Sequence, residues 1–225
     1  MPARLRPTAP IAADAILVGD PGRALMLAQV LLEQPKMSNH ARGLWGYVGR
    51  TPAGGELTIQ STGMGGPSAS VVIADLAELG VRRAIRIGTC ASLGGLELGQ
   101  LLVVSEASAD FSCSFLAPYK EEEQMNARAL PDPGLTEGLI RVLPEAREGA
   151  IASLDMLHDP ERGRPSVQAE AADMQTAALL AAAAELGVAV AALLIVTERS
   201  DSGQLPDEDL EETAKRVGTA AAGLL

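Results

Sequence analysis

Leu57-Thr58-Ile59-Gln60-Ser61, the turn Thr62-Gly63-Met64-Gly65-Gly66-Pro67-Ser68, a helix-forming run to Leu79-Gly80 and then Arg86-Ile87-Gly88-Thr89 make up the stretch that decides the fold class. Short apolar segments around a glycine turn and a longer run of helix formers read as strand, turn, helix and strand, the crossover unit of a parallel sheet. Turns of such a unit open at the carboxyl edge of the sheet, where open α/β sheets bind their ligands. Two features exceed a generic crossover. Three of the four residues 63–66 are glycine, and Arg86 stands directly before Ile87-Gly88-Thr89 in the second strand. An arginine on a sheet strand needs an anion or water. Pro67 at the start of the helix and Gly80 after its last turn bracket it.

The same rhythm extends in both directions. Ala15-Ile16-Leu17-Val18 predicts a buried strand, and Gly19-Asp20-Pro21-Gly22-Arg23 a turn feeding a helix through Leu32. Residues 38–49 have the glycine spacing of a turn or hairpin. Further strands are predicted at 100–107, 149–153 and 188–196, the last with the continuous apolar character of a strand buried on both faces. Helices are predicted at 135–143, at 169–186, where alanine and leucine dominate, and at 207–225, which opens with acids. Residues 1–14 read as a short proline-broken arm and 117–134 as a surface excursion. Charge and prolines in 159–165 suggest a mobile loop. The expectation is a single α/β domain over residues 1–225, with no internal repeat.

Composition narrows the function. A chain of 225 residues that is 47% hydrophobic can bury a full core, and with 2% aromatic residues that core must be Ala, Val, Leu and Ile. A net charge of −11 with no basic run argues against a nucleic-acid or acidic-membrane partner, so an anionic small substrate would be held by a few local arginines. Cys90 and Cys113 are too few for a disulfide framework, and without a charged-plus-apolar leader the expected location is cytoplasmic. No apolar run reaches the length of a membrane span. His40 and His158 make no metal-ligand spacing with the cysteines, so no metal is expected.

Taken singly, the polar motifs are ambiguous. Gly-Asp-Pro-Gly is a plain strand-to-helix turn, yet helix-start amides with Arg23 suit a phosphate. Arg42 alone is a solvated charge, His40 a capping histidine and Trp45 a packing residue. The run Gly63 to Ser68 is not a dinucleotide fingerprint: its sixth position is Ser68, and some twenty residues on stand Arg82 and Arg83 rather than an acid. Met64 suits a core or the face of a sugar. Asp173-Met174-Gln175 places polar groups in an otherwise apolar helix. Thr197-Glu198-Arg199-Ser200-Asp201 places acids at a strand end, where they suit proton donation or a salt-bridged loop.

In order along the chain, Gly19-Asp20-Pro21-Gly22-Arg23, Gly63-Met64-Gly65-Gly66-Pro67-Ser68, Arg86-Ile87-Gly88-Thr89 and Met174 resemble the successive motifs of the nucleoside phosphorylase family. The branch is that of the bacterial hexameric purine nucleoside phosphorylases and uridine phosphorylases, and the similarity spans residues 15–200. It implies a three-layer α/β/α fold with a mixed central sheet. It also implies phosphorolysis of a nucleoside to free base and pentose 1-phosphate, with inorganic phosphate as co-substrate and no cofactor. By resemblance, phosphate is held by Gly19, Arg23, Arg86 and Thr89, with Arg42 reaching across from a neighbouring subunit of a homo-oligomer, a dimer or trimer of dimers. The sugar lies against Met64 and Met174, and the base pocket falls at Cys90, Ala91 and Leu157.

The departures fall on the nucleoside half. Gln175 stands where the family has a glutamate gripping the ribose hydroxyls. Glu198 stands where purine-specific members have an aspartate that protonates the base, with Asp201 a rival for that role. Leu157 replaces a stacking aromatic ring, and Arg4 is nearest to the position of an N-terminal histidine. The phosphorylase is the leading expectation, with Glu198, Arg86 and Asp201 as the catalytic set. A binding protein on the same fold that has lost turnover, a related nucleosidase and an ordinary nucleotide-cofactor enzyme are the alternatives.

Overall fold

The computed structural model describes residues 4–109, 128–155, 168–200 and 203–225. The order is β1 (Asp14–Val18), α1 (Pro21–Leu31), β2 (Glu33–Asn39), β3 (Gly46–Arg50), β4 (Glu56–Ser61), α2 (Gly66–Glu78), β5 (Arg83–Ser92) and β6 (Leu101–Ala109). Then follow β7 (Arg128–Ala129), α3 (Pro133–Val142), β8 (Arg147–Ser153), β9 (Ala171–Asp173), α4 (Thr176–Glu185), β10 (Ala189–Arg199), β11 (Gly203–Gln204) and α5 (Asp207–Ala222). A 3-10 turn, Ala41–Gly43, links β2 to β3.

The strands form one mixed sheet in the order β11-β10-β6-β8-β9-β5-β1-β4-β3-β2, with β7 beside β6. A further parallel pairing of β10 with β5 closes β10, β6, β8, β9 and β5 into a ring, while β1 to β4 extend from it as an open wing. The pairs β1–β4, β1–β5, β6–β8 and β8–β9 are parallel, and the wing pairs β2–β3 and β3–β4 antiparallel.

Alternation along the central strands sorts the helices into two layers. Ala15, Leu17, Ala84 and Cys90 point into a core shared with Ala69, Val72, Ile73 and Leu76 of α2 and with Ala177, Leu179 and Leu180 of α4. Ile16, Val18, Ile85 and Ile87 point the other way, against Leu27 and Leu31 of α1, Leu139 of α3 and Val217 of α5. The outcome is the expected α/β/α sandwich. Its core is built of small aliphatic side chains, as the scarcity of aromatics requires. None of the described helices is long and apolar enough to cross a membrane.

One expectation needs correction, and two further features were not read from the sequence. Residues 169–186 are not one helix: Ala171–Asp173 is a strand and α4 begins only at Thr176. The Asp173 carboxylate accepts hydrogen bonds from the amides of Gln175 and Thr176 at 3.1–3.2 Å, which starts the helix there, and the alanines before it fill the slot between β5 and β8. The first of these features is β2, which lacks the alternation that marks a strand and has five exposed residues before Ser38. The second is the anchoring of the N-terminal arm, which is tied down from Arg4 onward. The amides of Arg4 and Leu5 donate to Asp75 Oδ2 at 2.7 Å, and that of Arg6 to Asn39 Oδ1 at 2.8 Å. The expected loop at 159–165 and most of the excursion at 117–134 lie outside the described residues.

Candidate active site

The sheet itself makes the site. Strand β5 pairs with β1 as far as Arg86, opposite Leu17, and with β9 only from Ala91, opposite Ala172. Over residues 87–90 no described strand lies on that side, although β10 continues along the other. The gap opens into a cavity of about 460 Å³. Its walls come from the turn after β1 (Gly19, Asp20, Pro21 and Arg23), the turn after β4 (Gly63, Met64 and Gly65) and β5 (Arg86, Gly88, Thr89, Cys90 and Ala91). Asp173, Met174 and Gln175 between β9 and α4, with Thr197 and Glu198 of β10, complete them.

Arg86 sits at the floor. It lies on the same face of β5 as Ala84 and Cys90, so its side chain enters the α2–α4 layer and meets the start of α4. Its guanidinium lies over Gly88: a Cβ there would stand 2.7 Å from Nη2 and 2.8 Å from Cζ. Three of its N–H groups have partners: Nε donates to Thr176 Oγ1 at 3.1 Å, Nη1 to Gln175 Oε1 at 2.8 Å and Nη2 to Asp173 Oδ2 at 3.0 Å. A guanidinium has five such donors, so two are without a partner among the described residues. Arg86 and Asp173 are both buried. The aspartate is in turn held by Ser153 Oγ at 2.6 Å and Thr176 Oγ1 at 2.5 Å, which fixes the plane of the arginine fork.

Arg23 approaches from the opposite wall. Asp20 caps α1 by accepting from the Arg23 amide at 2.7 Å, its carbonyl accepts from the Ala24 amide at 3.1 Å, and Pro21 carries no N–H, so Gly22 is the one first-turn residue whose amide has no partner among the described residues. Among the described residues the Arg23 guanidinium makes no hydrogen bond. Its pKa is lowered by burial, supported by the Asp20 charge and lowered again by the nearby Arg86. Two mutually repelling cations beside a helix start are an arrangement that suits an anion.

The other expected residues divide as follows. Gly19 and Thr89 line the same cavity as Arg23 and Arg86. Met64, 82% exposed, stands at the lip and Met174 forms part of the wall. Cys90 and Ala91 line the wall toward Glu198, and Cys90 is buried, which together with the Asp173 charge pushes its thiol pKa up, against Arg86. Glu198 lines the far end, and its neighbour Arg199 is ion-paired with Glu97. Arg42 is exposed on the 3-10 turn with φ of 60° and does not line the cavity of its own chain. Leu157 and Asp201 lie outside the described residues. Asp173, Asp20, Gly88 and Thr176 were not anticipated in functional roles. The signal for Asp173 was an acid in an otherwise alanine-rich run. Among the described residues no group of three or more His, Cys, Asp or Glu side chains could hold a metal ion.

Comparisons with known proteins place the chain in a family. Residues 14–225 match the family model described as the phosphorylase superfamily. The chain is 32% identical over 207 residues, 86% of each protein, to a DeoD-type purine nucleoside phosphorylase of Caldanaerobacter subterraneus subsp. tengcongensis. It is 30% identical over 217 residues, 90% of each, to the DeoD-type enzyme of Alkaliphilus metalliredigens. The crystal structure of a purine nucleoside phosphorylase from Toxoplasma gondii in complex with immucillin-H superposes with a TM-score of 0.80, covering 95% of this chain and 91% of that one at 19% identity. That likeness concerns the fold. With nearly the whole described sheet inside the matched region, and the gap at β5 inside it too, the chain belongs to the phosphorylase superfamily.

Proposed function

We propose that the chain is a nucleoside phosphorylase, with purine nucleosides as its substrate class, in which inorganic phosphate binds between the α1 N-terminus and Arg86. The observation that carries this reading is the convergence of Arg23 and Arg86 on one wall-to-wall gap, where Arg86 keeps two donors for an external anion. A dianion there accepts from the Arg86 fork, from Arg23 and from the Thr89 hydroxyl. Held in this way, one phosphate oxygen faces a sugar lying between Met64 and Met174.

The reaction is then a displacement at the anomeric carbon. As the bond to the base nitrogen lengthens, positive charge grows on the sugar, and the adjacent phosphate both stabilises that charge and forms the new C–O bond. The electron pair of the broken bond stays with the base, which leaves as a neutral species once a proton reaches it. Glu198 at the cavity's far end supplies that proton, or Asp201 does. The products are free base and pentose 1-phosphate.

Within one chain the cavity carries no excess of positive charge: Arg23 and Arg86 stand against Asp20, Asp173 and Glu198. An added cation therefore improves capture of a dianion, and Arg42 of a neighbouring copy supplies it in a homo-oligomer. Chromatographic assay of base release from purine and pyrimidine nucleosides, with and without phosphate, tests the reading. Release only with phosphate is expected. Release at an equal rate without it makes the chain a nucleosidase.

A further inference from the structure

The turn that carries Arg42 is held more firmly than an exposed, solvated arginine requires. Arg42 sits at φ 60° and ψ 19°, in the left-handed region, which a residue with a side chain keeps only where its surroundings fix it. Two buried side-chain amides fix it here. Asn39, at the end of β2, donates from Nδ2 to the carbonyls of Ala41 and Leu44 on either side of Arg42, while its Oδ1 accepts from the Arg6 amide at 2.8 Å. Gln60 of β4 is fully buried, and its Nε2 donates to the Leu44 carbonyl at 3.0 Å and to the Ser61 carbonyl at 2.9 Å. The Leu44 carbonyl thus accepts from both amides. These carbonyls decide which end of the Gln60 amide is nitrogen, because a flip would set an oxygen against them.

Core stability alone does not call for a glutamine at this place. Its Oε1 is buried without a hydrogen-bond partner among the described residues, and so is Ser38 Oγ. Gly46, opposite Gln60 in β3, leaves the space that the amide occupies: a Cβ there would stand 2.2 Å from Gln60 Oε1 and 2.9 Å from Ser38 Oγ. A methionine of similar volume would pack β4 with no unpaired oxygen, so what the glutamine adds is its grip on the Arg42 turn. Resting on the phosphorylase reading, in which Arg42 serves a neighbouring copy, we infer that Gln60 is a positioning residue for phosphate bound by that copy. With Asn39 it presents Arg42 already set, so that less freedom is lost when the arginine meets the dianion. Gln60 does not line the cavity of its own chain and acts through Arg42.

The test is calorimetric titration of inorganic phosphate into the wild type, Gln60→Met, Arg42→Ala and the double variant, with thermal melts to confirm folding and base release measured alongside. Gln60→Met keeps the volume and removes the donor. Its phosphate dissociation constant is expected to rise about fivefold, but less than about twofold when Arg42 is already alanine, as for two groups that act as a unit. The nucleoside KM is expected to stay unchanged, which a general loosening of the fold would not allow. Gly46→Ala displaces the same amide instead of removing it and is expected to give the same pair of results, so the inference stays testable if Gln60→Met does not fold. Unchanged phosphate affinity in a folded Gln60→Met protein overturns the inference. So does a loss that is equal with and without Arg42, since Gln60 is then only a structural residue. A wild type that binds no phosphate removes this inference and the phosphorylase reading together. Phosphate binding coupled to Arg42 in this way, but with no base release, leaves the inference standing and removes the phosphorylase reading alone.

Discussion

Arg86 is the residue on which fold and chemistry meet. A guanidinium buried in a sheet is tolerated because Asp173 neutralises it, and the pair is positioned by hydrogen bonds from or to Thr176, Ser153 and Gln175. Arg86→Lys keeps the charge but loses the fork, so the phosphate KM is expected to rise at least about tenfold while the protein still folds. An unchanged phosphate KM would refute the placement. Cys90 gives a pH prediction. Burial raises its thiol pKa, so the unfolded chain, whose thiol titrates near the ordinary value of 9.0, loses its proton first. The stabilisation is complete below that value and drains away above it, by at most about 1.4 kcal/mol per pH unit. Urea midpoints measured from pH 8 to 10 should therefore fall more steeply for the wild type than for Cys90→Ala. At this scale Arg86 was legible, since one arginine in an apolar strand demands an anion. Its partner was not: Asp173 is 87 positions away, and nothing local says that the two meet.

Among the elements, the segment from β9 to α4 departs most from its sequence signal. Alanine-rich residues predict helix from 169 onward, but Ala171 and Ala172 are fully buried between two strands and the Asp173 carboxylate sets the helix start. Sheet closure overrides propensity here, and the polar triplet of Asp173, Met174 and Gln175 is delivered to the cavity as a consequence. The crossover at 57–92, by contrast, was readable throughout, because glycines and Pro67 mark its boundaries chemically. Gly66 shows how closely the site depends on packing. A Cβ there would stand 2.9 Å from the Cβ of Ala178, where α2 and α4 approach each other. Gly66→Ala should cost about 1–3 kcal/mol by overpacking and shift the Gly63–Gly65 turn that lines the cavity. Chemical denaturation with phosphorolysis kinetics checks both effects. A variant of wild-type stability would show that the helices can part freely.

At the scale of the whole molecule, the site exists because β1 leaves β5 before β9 joins it. A ring of strands fused to an open wing leaves a seam at β5, and polar backbone at that seam needs water or a polar ligand to pair with. The sequence announced a parallel α/β sheet and its carboxyl-edge turns, whereas ring closure depends on long-range pairings that local pattern does not encode. Because Arg23 and Arg86 do not outnumber the carboxylates of the cavity within one chain, the proposed reading draws a further cation from a second copy. Light scattering is expected to give a dimer or larger. Arg42→Ala should raise the phosphate KM about tenfold, the value of a lost charge-assisted contact, without changing the fold. A monomer with normal turnover would contradict the shared site. The most direct measurement of what this chain does is phosphorus NMR of the protein with a purine nucleoside and inorganic phosphate, run beside chromatography of the free base. We predict that the inorganic phosphate signal declines and a sugar phosphate ester signal grows in step with base release. Base release with the phosphate signal unchanged would contradict phosphorolysis.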